Sequence, residues 1–338
     1  MMQRRKFLRI SAAGLLCALP SPVLARDPEG DPANRSDAAS LRVLLGSGDA
    51  QRIDDQTFTY NGRRYRGTFA HCDAREVIST VPVEQYLYSV VSREMPRSWP
   101  DAALQAQAIA ARTYVLQRSN PRRAYDVVTS ESDQVYTGID AESPATTAAV
   151  EGSAGKVLRY NNAFATIAYS SCCGGHTESA ADAWAGGSTV AYLRGVACPN
   201  CTESPWYRWT KSLALDRVRS ALGERAAETG GVDRIEIGDR DPSGRARFVV
   251  VSGPDGRAQV NAADFRRALG TRDIPSVFFR RIAIADDGGG TPQVTVDGSG
   301  LGHGVGLCQW GARGLAQNGA SAEEIVAFYF PGTTVGQS

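Results

Sequence analysis

An α+β fold is the class this chain predicts: one mixed domain with a helical region carrying the candidate site, β-hairpins and a glycine-rich C-terminal loop. Two neighbouring helical patterns, near residues 83–94 and 102–117, stand among short extended segments. Asn61-Gly62 and Asp255-Gly256 mark hairpins between alternating stretches. Strands and helices do not alternate regularly, so a parallel βαβ architecture is not expected.

The elements follow in order. Residues 41–45 form a short apolar strand, and 57–69 alternate around Asn61-Gly62 as a hairpin. Val83, Leu87, Val90 and Glu94 then share one helical face. Pro82 suits a first turn, and Pro96 biases Met95 away from helix, so the helix should stop at or just past Glu94. Asp101 can cap a second helix over 102–117, whose alanines allow close packing. Residues 125–129 and 135–136 read as extended, 144–151 as helix, and 156–160 and 164–169 as strands. From 213 to 279 the order is helix, strand, hairpin, helix, with strands at 234–237 and 246–251 and a short helix at 264–269.

The N-terminus has the form of an export signal. Gln3-Arg4-Arg5-Lys6-Phe7-Leu8 gives a twin-arginine pattern, followed by an apolar run and a small-residue cleavage site, so residues 1–25 are expected to be removed. The run is too short for a bilayer of ~30 Å, which needs about 20 residues, and no later stretch is a transmembrane anchor. Residues 26–40 are polar with two prolines, a disordered linker. Residues 41–338 remain as the folded domain. Lys+Arg at 37 against Asp+Glu at 36 leaves no strong field, which argues against nucleic acid as a partner. A near-neutral groove suits an uncharged polysaccharide.

Glu94 is the candidate acid. A carboxyl on the apolar side of a helix end is costly to ionise, and one that stays protonated near neutrality is what a general acid needs. The plain alternative is a glutamate that reaches solvent or pairs with Arg93 or Arg97. Arg112 could contact a substrate or hold Glu94. Four of the seven cysteines crowd between 172 and 201. Cys173-x2-His176 followed by Cys198-x2-Cys201 has the spacing of a tetrahedral zinc site, closed and therefore structural. Disulfides are the alternative in an oxidising compartment, and Cys172 could replace Cys173. Cys72 and Cys308 are too isolated to interpret. The block from 298 to 319 carries eight glycines without a dinucleotide fingerprint. His303, Gln309 and Trp310 lie within it, and an indole beside hydrogen-bonding groups suits a sugar ring.

Three blocks resemble one known family. They are VPVEQYLYSVVSREMP with AQAIAARTY at 81–114, SSCCGGHTES at 170–179 and GHGVGLCQWGA at 302–312. The chain from about residue 41 is similar to the sporulation stage II protein D and amidase enhancer B family. The resemblance implies a lytic transglycosylase that cuts peptidoglycan glycan strands, with Glu94 at the position of the catalytic acid. It implies a preference for strands stripped of stem peptides, and hence a functional partnership with cell-wall amidases. Gln134 and Tyr136 match a further family block near the active site, and CGGHT at 173–177 supports a metal. Periplasm or extracellular wall is the expected location. The rival readings are a non-catalytic glycan-binding amidase enhancer and a zinc hydrolase with an open fourth position.

Overall fold

The computed structural model describes residues 39–72, 75–130, 132–184, 189–285 and 292–338. The export signal and residues 26–38 of the linker lie outside them. The α+β expectation holds: short sheets and helices are interleaved, and the buried apolar side chains form two clusters.

The first cluster contains the candidate acid. Ser40–Ser47 pairs antiparallel with Glu76–Pro82 and parallel with Val127–Val128, and Thr68–Cys72 completes the four-stranded sheet. Alternation along Ser40–Ser47 buries Leu41, Val43 and Leu45. The predicted hairpin joins Thr57–Tyr60 to Arg63–Arg66, with Asn61 (φ 48°) and Gly62 (φ 77°) in the positive region that this tight turn requires. Glu76–Pro82 runs directly into α1 (Val83–Glu94), which ends where Pro96 demands: the Met95 N–H still bonds to Val91 O, but Met95 is extended. After a tight loop, α2 (Asp101–Arg118) crosses the core. Its alanines let it pack against α1 and the Pro144–Gly152, Gln309–Gln317 and Ala322–Tyr329 helices.

The second cluster lies in the chain between 206 and 298. One sheet has Gln293–Gly298 between Trp209–Ala214 and Phe279–Ala285, and the other has Phe248–Gly253 between Arg234–Ile237 and Gly256–Asn261. Helices Leu215–Leu222 and Ala262–Leu269 close it. Trp206 packs against both clusters.

Three expected extended segments differ from expectation, and of 125–129 only Val127–Val128 pairs. The run at 164–169 breaks into Ala163–Phe164 and Tyr169–Ser170, because the Thr166 N–H leaves the ladder for the Tyr192 hydroxyl at 2.7 Å. Residues 135–136 pair with no strand; Tyr136 is instead sunk among Tyr65 and Tyr86, with ring centroids 5.4 and 4.8 Å away.

Candidate active site and cysteine cluster

Tyr169–Ser170 runs parallel to Leu307–Cys308, and this two-residue ladder sets the 170–179 block beside the glycine-rich block. Gly306 makes the approach possible: its φ is 71°, and a Cβ there would lie 2.0 Å from the Ala168 carbonyl oxygen. The chain then enters the Gln309–Gln317 helix, whose first side chain reaches α1. Gln309 Nε2 donates to Glu94 Oε2 at 3.0 Å and lies 3.4 Å from Gln107 Oε1 on α2. Glu94 is half-buried, and the bond from Gln309 holds one oxygen of its carboxyl. Buried polar atoms without a hydrogen-bond partner in the protein gather nearby: Gln107 Nε2, Gln134 Oε1 and the hydroxyls of Tyr86 and Tyr169. Both phenols are pushed well above their ordinary range, by burial first, and the charge of Glu94 adds to it.

The other predicted groove residues separate into two groups. Trp310 is half-buried and meets Trp99 edge-on at 5.0 Å, with the Arg313 guanidinium 5.1 Å from its ring centre. His303 packs on the exposed Trp184 at 5.3 Å, and its Nδ1 accepts from the Val305 N–H at 3.0 Å. Burial holds its imidazole down at about 4, so it is neutral at physiological pH. Arg112, Gln134 and Tyr136 are interior. Arg112 does not hold Glu94; it makes a two-pronged pair with Glu84 at 2.6 and 2.7 Å and donates to the carbonyls of Lys156 and Val150. An arginine that leaves α2 beside the N-terminal turn of α1 meets Glu84, not the acid at that helix's far end. Gln134 Nε2 is spent on Ala111 O at 3.4 Å. Tyr136 is 2 % exposed, in the aromatic core.

The cysteine prediction is corrected at one ligand. The sulfurs of Cys173, Cys198, Cys201 and Cys308 all lie within 4.8 Å of one another, buried, in a cluster able to bind a metal. His176 is not in it: its Nδ1 lies 2.7 Å from Thr177 O, and its backbone bridges to Ala197. Gly174 and Gly175, with φ of 76° and 118°, swing the chain away after Cys173. Cys308 takes the fourth place because the ladder to Ser170 delivers it, a long-range event that no local spacing announces. Cys172, Cys173, Cys198, Cys201 and Cys308 are not joined by disulfides. Cys201 is drawn down to about 4 by hydrogen bonds from Cys172 and Cys173. Cys198 is drawn down further by those from Cys173 and Cys201, while burial raises Cys308. The Cys173 N–H donates to Cys308 Sγ at 3.2 Å, and the Tyr329 hydroxyl lies 3.2 Å from Cys198 Sγ.

A model of the family described as Stage II sporulation protein matches residues 72–160, which span α1, α2 and Glu94. A stage II sporulation protein D from Bacillus amyloliquefaciens is 31% identical over 278 residues, 77% of this chain and 76% of that protein. This chain belongs to the stage II sporulation protein D family. An uncharacterised protein from Brachyspira hyodysenteriae is 33% identical over 285 residues, covering 82% and 74% of the two chains. An amidase enhancer from Bacillus subtilis is 30% identical over 297 residues, 74% of this chain but only 40% of that longer protein. Residues 191–306, which hold all of the second core, match a domain of unknown function, DUF8618.

Sequence reasoning assigned no site role to Trp99, Gln107, Tyr169 and Trp184. Gln107 carried a signal in the AQAIAARTY block, and Trp99 as an aromatic inside the proline-walled loop after Glu94.

Proposed function

We propose that this family member is an exported lytic transglycosylase of peptide-stripped peptidoglycan strands. Glu94 gives its proton to the glycosidic oxygen between N-acetylmuramic acid and N-acetylglucosamine, and that bond breaks. The resulting carboxylate takes the proton of the sugar's own 6-hydroxyl as its oxygen closes on the anomeric carbon, so the product has a 1,6-anhydro end and no water is consumed. Most glycosidases need a second carboxylate for the nucleophile or water, and an internal hydroxyl removes that need. The other sequestered acids are committed elsewhere: Asp126 to Arg42, Asp133 to the Tyr114 hydroxyl and Val128 N–H, and Glu178 to Ser243.

The observation that carries this reading is the 3.0 Å bond to Glu94 from Gln309, the residue next to Trp310, whose ring meets Trp99. The test is Glu94→Gln, which keeps shape but cannot deliver a carboxylic proton. We expect a rate loss of about 10²–10⁴, read as disappearance of anhydro-ended fragments by mass spectrometry. Turnover like that of the parent would overturn it. Binding without cleavage by the parent protein would favour the amidase-enhancer reading, in keeping with the name of one relative.

The cysteine cluster fits zinc. Tetrahedral Zn–S bonds of ≈ 2.3 Å place sulfurs about 3.8 Å apart, and Cys173 Sγ lies 3.7 Å from Cys201 Sγ. Cys173, Cys198, Cys201 and Cys308 would hold the ion, which supplies folding energy rather than an activated water, because four protein ligands close the shell. The twin-arginine route, which carries folded chains, allows zinc loading before export to the periplasm or wall.

A further inference from the structure

Three arginines converge where the glycine-rich block begins, and none of their guanidinium groups pairs with a carboxylate among the described residues. Arg208 Nη1 and Arg280 Nε donate to the same Ser299 hydroxyl, at 3.1 and 2.6 Å. Arg240 donates to the carbonyl of Phe279, the residue before Arg280, at 2.8 Å. All three are exposed. Several other arginines on this half do pair with carboxylates: Arg217 with Asp273, Arg247 with Asp182 and Arg257 with Glu236.

The group is also held in place. The Arg208 guanidinium lies 4.1 Å from the Tyr207 ring centre, and that of Arg280 lies 5.5 Å from Phe278. Ser299 is fully buried, so the hydroxyl that both arginines share is a fixed point. Arg280 is pushed below its ordinary value, by burial first and then by the charges of Arg208 and Arg240. Like charges facing one acceptor repel, and an anion between them would remove that repulsion.

The position links this cluster to the candidate active site. Leu301 pairs with Cys172, while the Trp310 N–H donates to Ser171 O at 3.0 Å. Adjacent residues of one segment therefore hold both ends of the block, with the arginines beyond one end and Gln309, Trp310 and Glu94 at the other. With a net charge of +1, the chain has no general field for polyanions, so anion recognition must be local.

We propose that Arg208, Arg280 and Arg240 form a subsite for a carboxylate on the glycan strand: the lactyl carboxylate that N-acetylmuramic acid exposes once its stem peptide is removed. This rests on the proposed glycan substrate and deepens it. With the peptide attached, the lactyl group is an uncharged amide and gives the guanidinium forks nothing to pair with. Without the peptide it is a planar anion suited to paired N–H donors. The site would thus select strands that an amidase has already processed.

The test uses the full mature chain carrying Glu94→Gln, so that binding is read without cleavage. Peptide-free glycan strands are compared with the same strands after conversion of their carboxylates to methylamides. The parent arginine set should bind free-acid strands about tenfold or more tightly, the scale of one or two charge-assisted hydrogen bonds. Arg208→Ala with Arg280→Ala should bring that ratio to about one, with unchanged melting temperature and metal content. Discrimination that persists in the double variant, or is absent from the parent, overturns the proposal. So does a double variant that loses affinity for a phosphodiester wall polymer while keeping carboxylate discrimination. If the Glu94 protein fails to cleave strands but arginine-dependent discrimination holds, the catalytic reading falls and the subsite stands.

Discussion

Two arginines, Arg112 and Arg245, are each 1 % exposed, yet they close their regions in different ways. Arg112 makes a short two-pronged pair with Glu84 and satisfies two carbonyls, tying α1 and α2 to the Pro144–Gly152 helix and the Lys156–Tyr160 strand. Arg245 stands 3.7 Å from Glu178, has no partner for its Nε, and donates mainly to the carbonyls of Cys173 and His176 and the Ser243 hydroxyl. The region around Glu94 is thus locked by an ion pair. The region around the second core leans, through Arg245, on the cysteine loop. The first lock is complete within the protein; the second would gain strength from the metal proposed for the four sulfurs.

The largest effect should come from breaking the second lock at its sulfurs. Cys308→Ser should reduce bound zinc from about one equivalent to a small fraction and lower the melting temperature markedly, because metal affinity and folding are linked. His176→Ala should keep its zinc. Elemental analysis of protein purified without chelators separates the two, and full zinc in Cys308→Ser would restore the histidine ligand.

Next comes the first lock. Arg112→Ala removes the side-chain donors to Glu84 and to the carbonyls of Val150 and Lys156, and opens a void. It should cost about 2–5 kcal/mol, the scale for emptying a large buried side chain's place, and weaken the support of the helix that carries Glu94. Glu84→Gln should cost less, since its side chain is 36% exposed and an amide still accepts from the fork. Urea melts of both variants test this ranking. Equal stabilities would mean that Arg112 merely fills space.

How far the sequence reached follows the same division. The end of α1, the Ala-rich α2 and the Asn61-Gly62 turn were legible because each depends on residues within one or two turns of chain. Glu94 was singled out by its helix face and its family block. The partner of Arg112 was not, since side-chain direction across two packed helices decides between Glu84 and Glu94. Cys308 was invisible for a sharper reason: its ladder partner Ser170 is far away in sequence, and the glycines that permit the approach look alike whether or not a thiol follows. The CGGH spacing suggested a histidine ligand, but the positive φ at Gly174 and Gly175 turns that histidine aside. The arginine subsite gave no signal, because its members come from three separated segments.

The smallest effect sharpens the comparison by titration. Glu178 accepts from Ser243, faces Arg245 and Asp241, and is raised to about 7 from an ordinary 4.5; burial is the main cause, Arg245 opposes it, and Asp241 adds to it. Its folded pKa lies above its unfolded one, so between about pH 4.5 and 7 the native state binds more protons than the unfolded state. Stability from this group is therefore fully present below about pH 4.5, falls as pH rises towards 7, and then levels off. Glu178→Gln stays uncharged throughout and keeps an acceptor for Ser243. It should change stability at pH 5 by no more than about 1 kcal/mol, the net worth of one hydrogen bond, and remove most of the decline towards pH 7. Chemical denaturation of parent and variant at half-unit pH steps measures this directly. An unchanged slope in the variant would mean that the Glu178 carboxylate is ionised throughout, and that Arg245 holds its partner as firmly as Arg112 does.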